Sequence, residues 1–170
     1  MLTSRIVLVG VGAVLIGLAA WMGAATPWGV SPLTPASLII VLPAFTVAAT
    51  VGESAVWVLI PLLPALAFIA FSNHLLRGSS SIPFASRALF AALVAGSGVW
   101  FSIAWSSGVQ YQGVSYVVTC LAANVIAAAI VGALLLLHHQ KPTWLRAYAF
   151  HTAMFLWLGW LSFPWLGEMI

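Results

Sequence analysis

The stretch TVAATVGESAVWVLIPLLP, residues 46–64, sets Glu53, one of only two acidic residues in the chain, between two apolar runs. From Ser37 to Asn73 no other charged residue occurs. As one straight helix this run would measure about 55 Å at ~1.5 Å per residue, nearly twice the ~30 Å hydrocarbon core of a bilayer. It has to break, and the Gly-Glu-Ser triplet is the place. Gly52 is a weak helix former, Glu53 is costly in lipid, and Ser54 can cap a new helix.

Composition says why lipid is the relevant solvent. Hydrophobic residues make up 64% of the 170 positions and charged residues 4%, with a mean hydropathy of +1.16. A soluble domain carries about 25% charged residues to solvate its shell. Five basic residues spread along the whole chain form no patch, so the net charge of +3 does not point to a nucleic-acid partner. The single cysteine, Cys120, excludes an intrachain disulfide and multi-cysteine metal sites, and reads as a buried, inert thiol. The N-terminal run 6–25 follows Arg5 and ends near a small-residue GAA that resembles a cleavage site. Its roughly 20 residues suffice to span, and it is read as a retained first helix.

Polar or Pro/Gly-rich breaks at 26–36, 74–87, 108–114 and 139–146 separate apolar runs at 6–25, 37–73, 88–107, 115–138 and 147–167. Lipid offers no water to free backbone groups, so each run is expected to be helical. Strands are disfavoured because the runs do not alternate in polarity. The expected fold is therefore an all-α integral membrane protein, one polytopic domain over residues 1–170. Its bundle has about five spans (6–25, 54–73, 88–107, 115–138 and 147–167). Residues 37–51 then form a short helical segment at the outer face, and a six-span bundle is the alternative. Basic residues favour the cytoplasmic side. Five spans with the N-terminus inside place Arg5, Arg77, Arg87, Lys141 and Arg146 all in the cytoplasm and the C-terminus outside. Six spans starting inside would strand four of them, and six starting outside would strand Arg5 alone. A bacterial inner membrane fits this nearly loopless chain.

Small residues recur at helical spacing in three runs: Ala13, Gly17, Ala20, Ala24; Ala91, Ala95, Gly98, Ser102, Ser106; and Cys120, Asn124, Ala128, Gly132. Such faces allow close backbone approach, which apolar burial does not drive inside lipid. They are expected to pack helix on helix, either within the chain or against a membrane-protein partner or a second copy.

Candidate chemistry is sparse. Glu53 and Glu168 read as interfacial anchors or caps, or, for Glu53, as the lining of an ion or substrate path at a broken helix. Asn124, near the middle of its helix, is expected to hydrogen-bond a neighbouring helix and fix register, or to touch a ligand. His74, His138, His139 and His151 fall on the inner half. They read as interfacial side chains, or His74, His138 and His151 as weak haem or metal ligands with His151 facing one of the other two. Trp21, Trp28, Trp57, Trp105, Trp160 and Trp165 crowd the outer side as anchors, with Trp144 alone inside. No phosphate loop, HExxH, GxSxG or paired-cysteine motif is present. With histidines inside and acids outside, a catalytic triad is disfavoured. The expectation is a small non-enzymatic accessory or interaction protein without a cofactor: a subunit of a membrane complex, or an immunity- or resistance-type protein. The alternatives are a small transporter or channel working at Glu53, or a haem- or quinone-associated anchor.

Overall fold

A computed structural model describes residues 2–25, 38–52, 54–103, 105–106 and 114–162. Among the described residues the chain forms six helices and no strand. They are α1 (Leu2–Ala25), α2 (Leu38–Val51), α3 (Ser54–Leu76), α4 (Phe84–Ile103), α5 (Val114–Gln140) and α6 (Trp144–Ser162). Helices α1, α3, α4 and α5 are long and apolar enough to cross a membrane. Their outward faces carry large apolar side chains, such as Val14 and Leu18 on α1, Leu62 and Leu66 on α3, and Ile126 and Ile130 on α5.

The break is where the sequence puts it. Helix α2 ends at Val51, and Gly52 turns the chain with φ +116°, a conformation that side-chain-bearing residues rarely adopt. Ser54 is the first residue of α3, and Ala55 N–H bonds Gly52 C=O across the turn at 3.0 Å. Glu53 itself lies outside the described residues, as does Glu168. The third run starts earlier than expected, at Phe84 rather than residue 88, because Pro83 supplies the first acceptor: its C=O takes the N–H groups of Ser86 and Arg87. Likewise α6 begins at Trp144 rather than residue 147, and the end of the expected span 147–167 lies outside the described residues.

Contacts fix the helix directions. A Cβ on Gly12 would meet Phe68, and one on Gly17 would meet Pro61 C=O at 2.9 Å, so α1 and α3 run antiparallel. One on Gly23 would meet Trp160 C=O at 2.5 Å, and Tyr148 Oη–H donates to Leu8 C=O, so α6 runs parallel to α1. Ser86 reaches His151 and Phe90 lies edge-on to Trp157, which makes α4 parallel to α6. Phe90 lies over Gly132 and Ser97 reaches Asn124, which makes α5 antiparallel to α4. With α1 and α3 antiparallel, the intervening stretch that includes α2 makes no net traverse of the bundle. Helix α2 packs along α3 instead.

These directions bring all five basic residues to one end. Arg5 is in α1's first turns and packs over the Trp144 ring, 5.8 Å from its centroid. Arg77 follows α3, Arg87 is in the first turn of α4, Lys141 follows α5, and Arg146 is in the first turn of α6. Helix α3 closes in a Schellman turn: Ser79 N–H bonds His74 C=O and Gly78 N–H bonds Leu75 C=O, with Gly78 at φ +85°. Trp144 Nε1–H also donates to Leu75 C=O at 2.8 Å, tying the base of α6 to the end of α3.

Helix α6 is the least apolar of the long helices, with Arg146, Tyr148, His151 and Thr152 in its first half, and over its described residues it lacks the apolarity of a lipid-facing span. Its position explains this. It packs against α1, α3, α4 and α5, and Phe150, His151, Met154, Phe155 and Leu158 are all buried. A helix surrounded by protein can carry polar groups that neighbouring helices satisfy.

The small-residue face of α1 is the seam of this arrangement: Ala13, Gly17, Ala20 and Ala24 are all buried. Gly17→Val should destabilise the bundle by about 1–3 kcal/mol, since the added atoms meet backbone that cannot move aside. Gly10→Ala, where a Cβ meets nothing within 4 Å, should be neutral or slightly stabilising. Unfolding of the two variants in mild detergent micelles compares them directly. Equal effects would mean that the α1 seam is not tightly packed.

Candidate functional site

Two polar clusters lie inside the bundle. The first is centred on Asn124 of α5, only 5% exposed. Its Oδ1 accepts from Trp157 Nε1–H of α6 at 3.0 Å and from Ser97 Oγ–H of α4 at 3.1 Å. Its Nδ2 donates to Cys120 C=O, one turn back, at 2.9 Å. The amide orientation is set by its partners, because an indole only donates and a carbonyl only accepts. One side chain thus joins three helices, and three of its four hydrogen-bonding positions are used within the chain. That is the register role expected for Asn124. Two apolar clefts flank it, of about 180 Å³ beside Ser97, Gly98 and Phe101, and about 350 Å³ beside Ala127, Ile130 and Trp160. Asn124 and Trp157 line both. Cys120 is buried, as expected.

The second cluster sits at the basic end. His151, 0% exposed, is enclosed by neighbouring helices. Its Nδ1 donates to Ala147 C=O at 2.8 Å, and in the neutral ring Nε2 then accepts from Ser86 Oγ–H at 2.9 Å. Its ring faces His74, with centroids 5.1 Å apart, so one of the two expected pairings is met. His138 is also buried, whereas His139 is exposed at the end of α5. Among the described residues no three His, Cys, Asp or Glu side chains are close enough to hold a metal ion. Ser72 Oγ, His74 Nε2, His138 Nδ1 and Thr152 Oγ1 are buried without a hydrogen-bond partner among the described residues.

The Ser86–His151 pair has the spacing of a nucleophile and its base. Its surroundings give it a different role. The hydroxyl is fully buried, and the group orienting the imidazole is a carbonyl of the same helix. The hydrogen bond ties α4 to α6. Sequence reading does not find this pair, because the two residues lie 65 positions apart and no periodicity connects two separate helices. Ser97 escapes for the same reason: it occupies a helix of small residues in which nothing singles it out.

Outside the core, Trp21, Trp57 and Trp105 are exposed towards the end opposite the basic residues, where anchors were expected. Trp28 and Trp165 lie outside the described residues. So does Glu53, the candidate for an ion or substrate path. The chain matches no family model, no curated protein and no solved structure, so its own geometry carries the functional reading.

Asn124→Leu should leave the Trp157 and Ser97 donors without their shared acceptor and cost about 1–2 kcal/mol. A double-mutant cycle with Trp157→Phe, measured by unfolding in detergent, should return a coupling of about 0.5–1.5 kcal/mol. Strict additivity would show that the bond contributes nothing to stability.

Proposed function

We propose that this chain is a small, non-enzymatic accessory or interaction protein of a bacterial inner membrane. In this reading it is multi-pass, with a cytoplasmic N-terminus and an external C-terminus, and it works by packing against another membrane protein or a second copy of itself. The observation that carries the proposal is the orientation of α4. Its small-residue face, which runs through Ala91, Ala95, Gly98, Ser102 and Ser106, was expected to pack either within the chain or against a partner or second copy. Ala91, Ala95, Gly98 and Ser102 are all exposed, while Leu89, Leu93 and Ser86 on the other side of the helix are buried. A Cβ on Gly98 would meet nothing within 4 Å. The corresponding face of α5 is turned inward at Cys120 and Asn124 and half-buried at Ala128 and Gly132.

Lipid rewards a bare small-residue face no more than any other apolar surface, whereas a second helix gains close backbone contact there. The placement of polar groups supports the same reading. Asn124 satisfies partners of its own chain rather than lining a continuous polar path, and the clefts beside it are almost wholly apolar.

Crosslinking in native membranes tests this. In a Cys120→Ser background, Ala95→Cys should crosslink to a defined second chain, whereas Ile130→Cys on the lipid-facing side of α5 should not. A band at twice the monomer mass identifies a second copy, and any other discrete mass a different subunit. Equal crosslinking at the two positions, or none at Ala95→Cys, would contradict the proposal.

A further inference from the structure

At the basic end, between the last turn of α3 and the first turn of α4, an open cavity of about 460 Å³ has one polar and one apolar side. Asn73, His74 and Arg77 provide the polar side, and Ala70, Phe71, Pro83 and Ala85 most of the rest. Asn73 and Arg77 are four residues apart, so they project from the same side of the end of α3. Both are exposed, and neither side chain makes a hydrogen bond or ion pair with another described residue.

The other cations at this end are differently placed. Arg146 donates to Leu137 C=O and Lys141 C=O, and Arg5 is held against Gly78 and the Trp144 ring. Arg87 and Lys141 do not line the cavity. The only two carboxylates of the chain, Glu53 and Glu168, lie outside the described residues. No described residue can therefore neutralise Arg77.

We propose that this cavity is a binding site for an anionic phosphate group, held by the Arg77 guanidinium and the Asn73 amide. A guanidinium presents paired N–H donors that match phosphate oxygens, and the amide adds a further donor beside them. The His74 ring forms the inner wall and is backed by His151, which Ser86 holds in place. The apolar side, formed by Ala70, Phe71, Pro83 and Ala85, suits the glycerol and upper acyl region of a phospholipid whose phosphate reaches Arg77. A free phosphate would use the polar side alone. The site is independent of the α4 face and of any partner on it.

The test is a titration of the purified full chain in mild detergent, with bound species counted by native mass spectrometry. Phosphatidylglycerol and inorganic phosphate are the two probes. Arg77→Gln should weaken binding at least about tenfold, the range of a charge-assisted hydrogen bond, while Arg87→Gln should change it less than about twofold. Arg77→Lys should fall between them, because it keeps the charge and loses the paired donors. Binding of phosphatidylglycerol without competition from inorganic phosphate assigns the site to a lipid headgroup, and displacement by inorganic phosphate assigns it to the free anion. Both outcomes support the site. Equal losses in Arg77→Gln and Arg87→Gln would reduce it to general attraction by the basic end and overturn the proposal. So would binding of neither probe to the wild-type chain.

Discussion

Everything in this bundle depends on how closely α1 approaches its neighbours. In lipid, burying apolar surface gives helices little reason to associate, so contact distance has to do the work. Gly17 lets α1 reach the Pro61 carbonyl, Gly23 lets it reach the Trp160 carbonyl, and Gly159 on α6 lies directly against Ile16. With Phe68 against Gly12 and the Tyr148 hydrogen bond to Leu8 C=O, those contacts set the direction of α3 and α6 relative to α1. Once α3 is antiparallel to α1, the chain between them has to return to the end it left. The break at Gly52 and the attachment of α2 along α3 follow from that.

With α1 and α3 flanking it, α6 becomes the centre of the bundle, and the polar residues of the chain collect around it. The Asn124–Trp157–Ser97 hub joins α4 and α5 to the C-terminal half of α6, and the Ser86–His151 bond joins α4 to its N-terminal half. Helix α4 is thus held by its Leu89–Leu93 side and by two hydroxyls, with its small-residue side left outward. The same geometry gathers all five cations at one end, where Arg77 faces a cavity that the chain does not fill.

How much of this was legible from residues alone depended on the kind of constraint. The broken helix was, because length, Gly52 and Glu53 are local facts that lipid makes decisive. Asn124 as an interhelical bond was also legible, since an amide near mid-helix has few other options. The face of α4 was not. A stripe of Ala, Gly and Ser shows that close approach is possible but not which helix makes it, and Ala91 and Ala95 look no different from Ala13 and Ala20. The full burial of His151 was not legible either, because depth along α6 says nothing about how many helices surround it. The Ser86–His151 and Arg77–Asn73 groupings required the fold or the lining of a cavity, which no periodicity encodes.

The whole bundle rests on α1 and α3 running in opposite directions, which places the N-terminus and the α3–α4 turn on the same side of the membrane. Single cysteines at Ser4, Glu53 and Ser81, each in a Cys120→Ser background, can be labelled with a membrane-impermeant thiol reagent from either face. The account predicts that Ser4→Cys and Ser81→Cys react only from the cytoplasmic face and Glu53→Cys only from the outer face. Labelling of Ser4→Cys from the face opposite to Ser81→Cys would make α1 parallel to α3, turn residues 37–51 into a sixth span, and contradict the account.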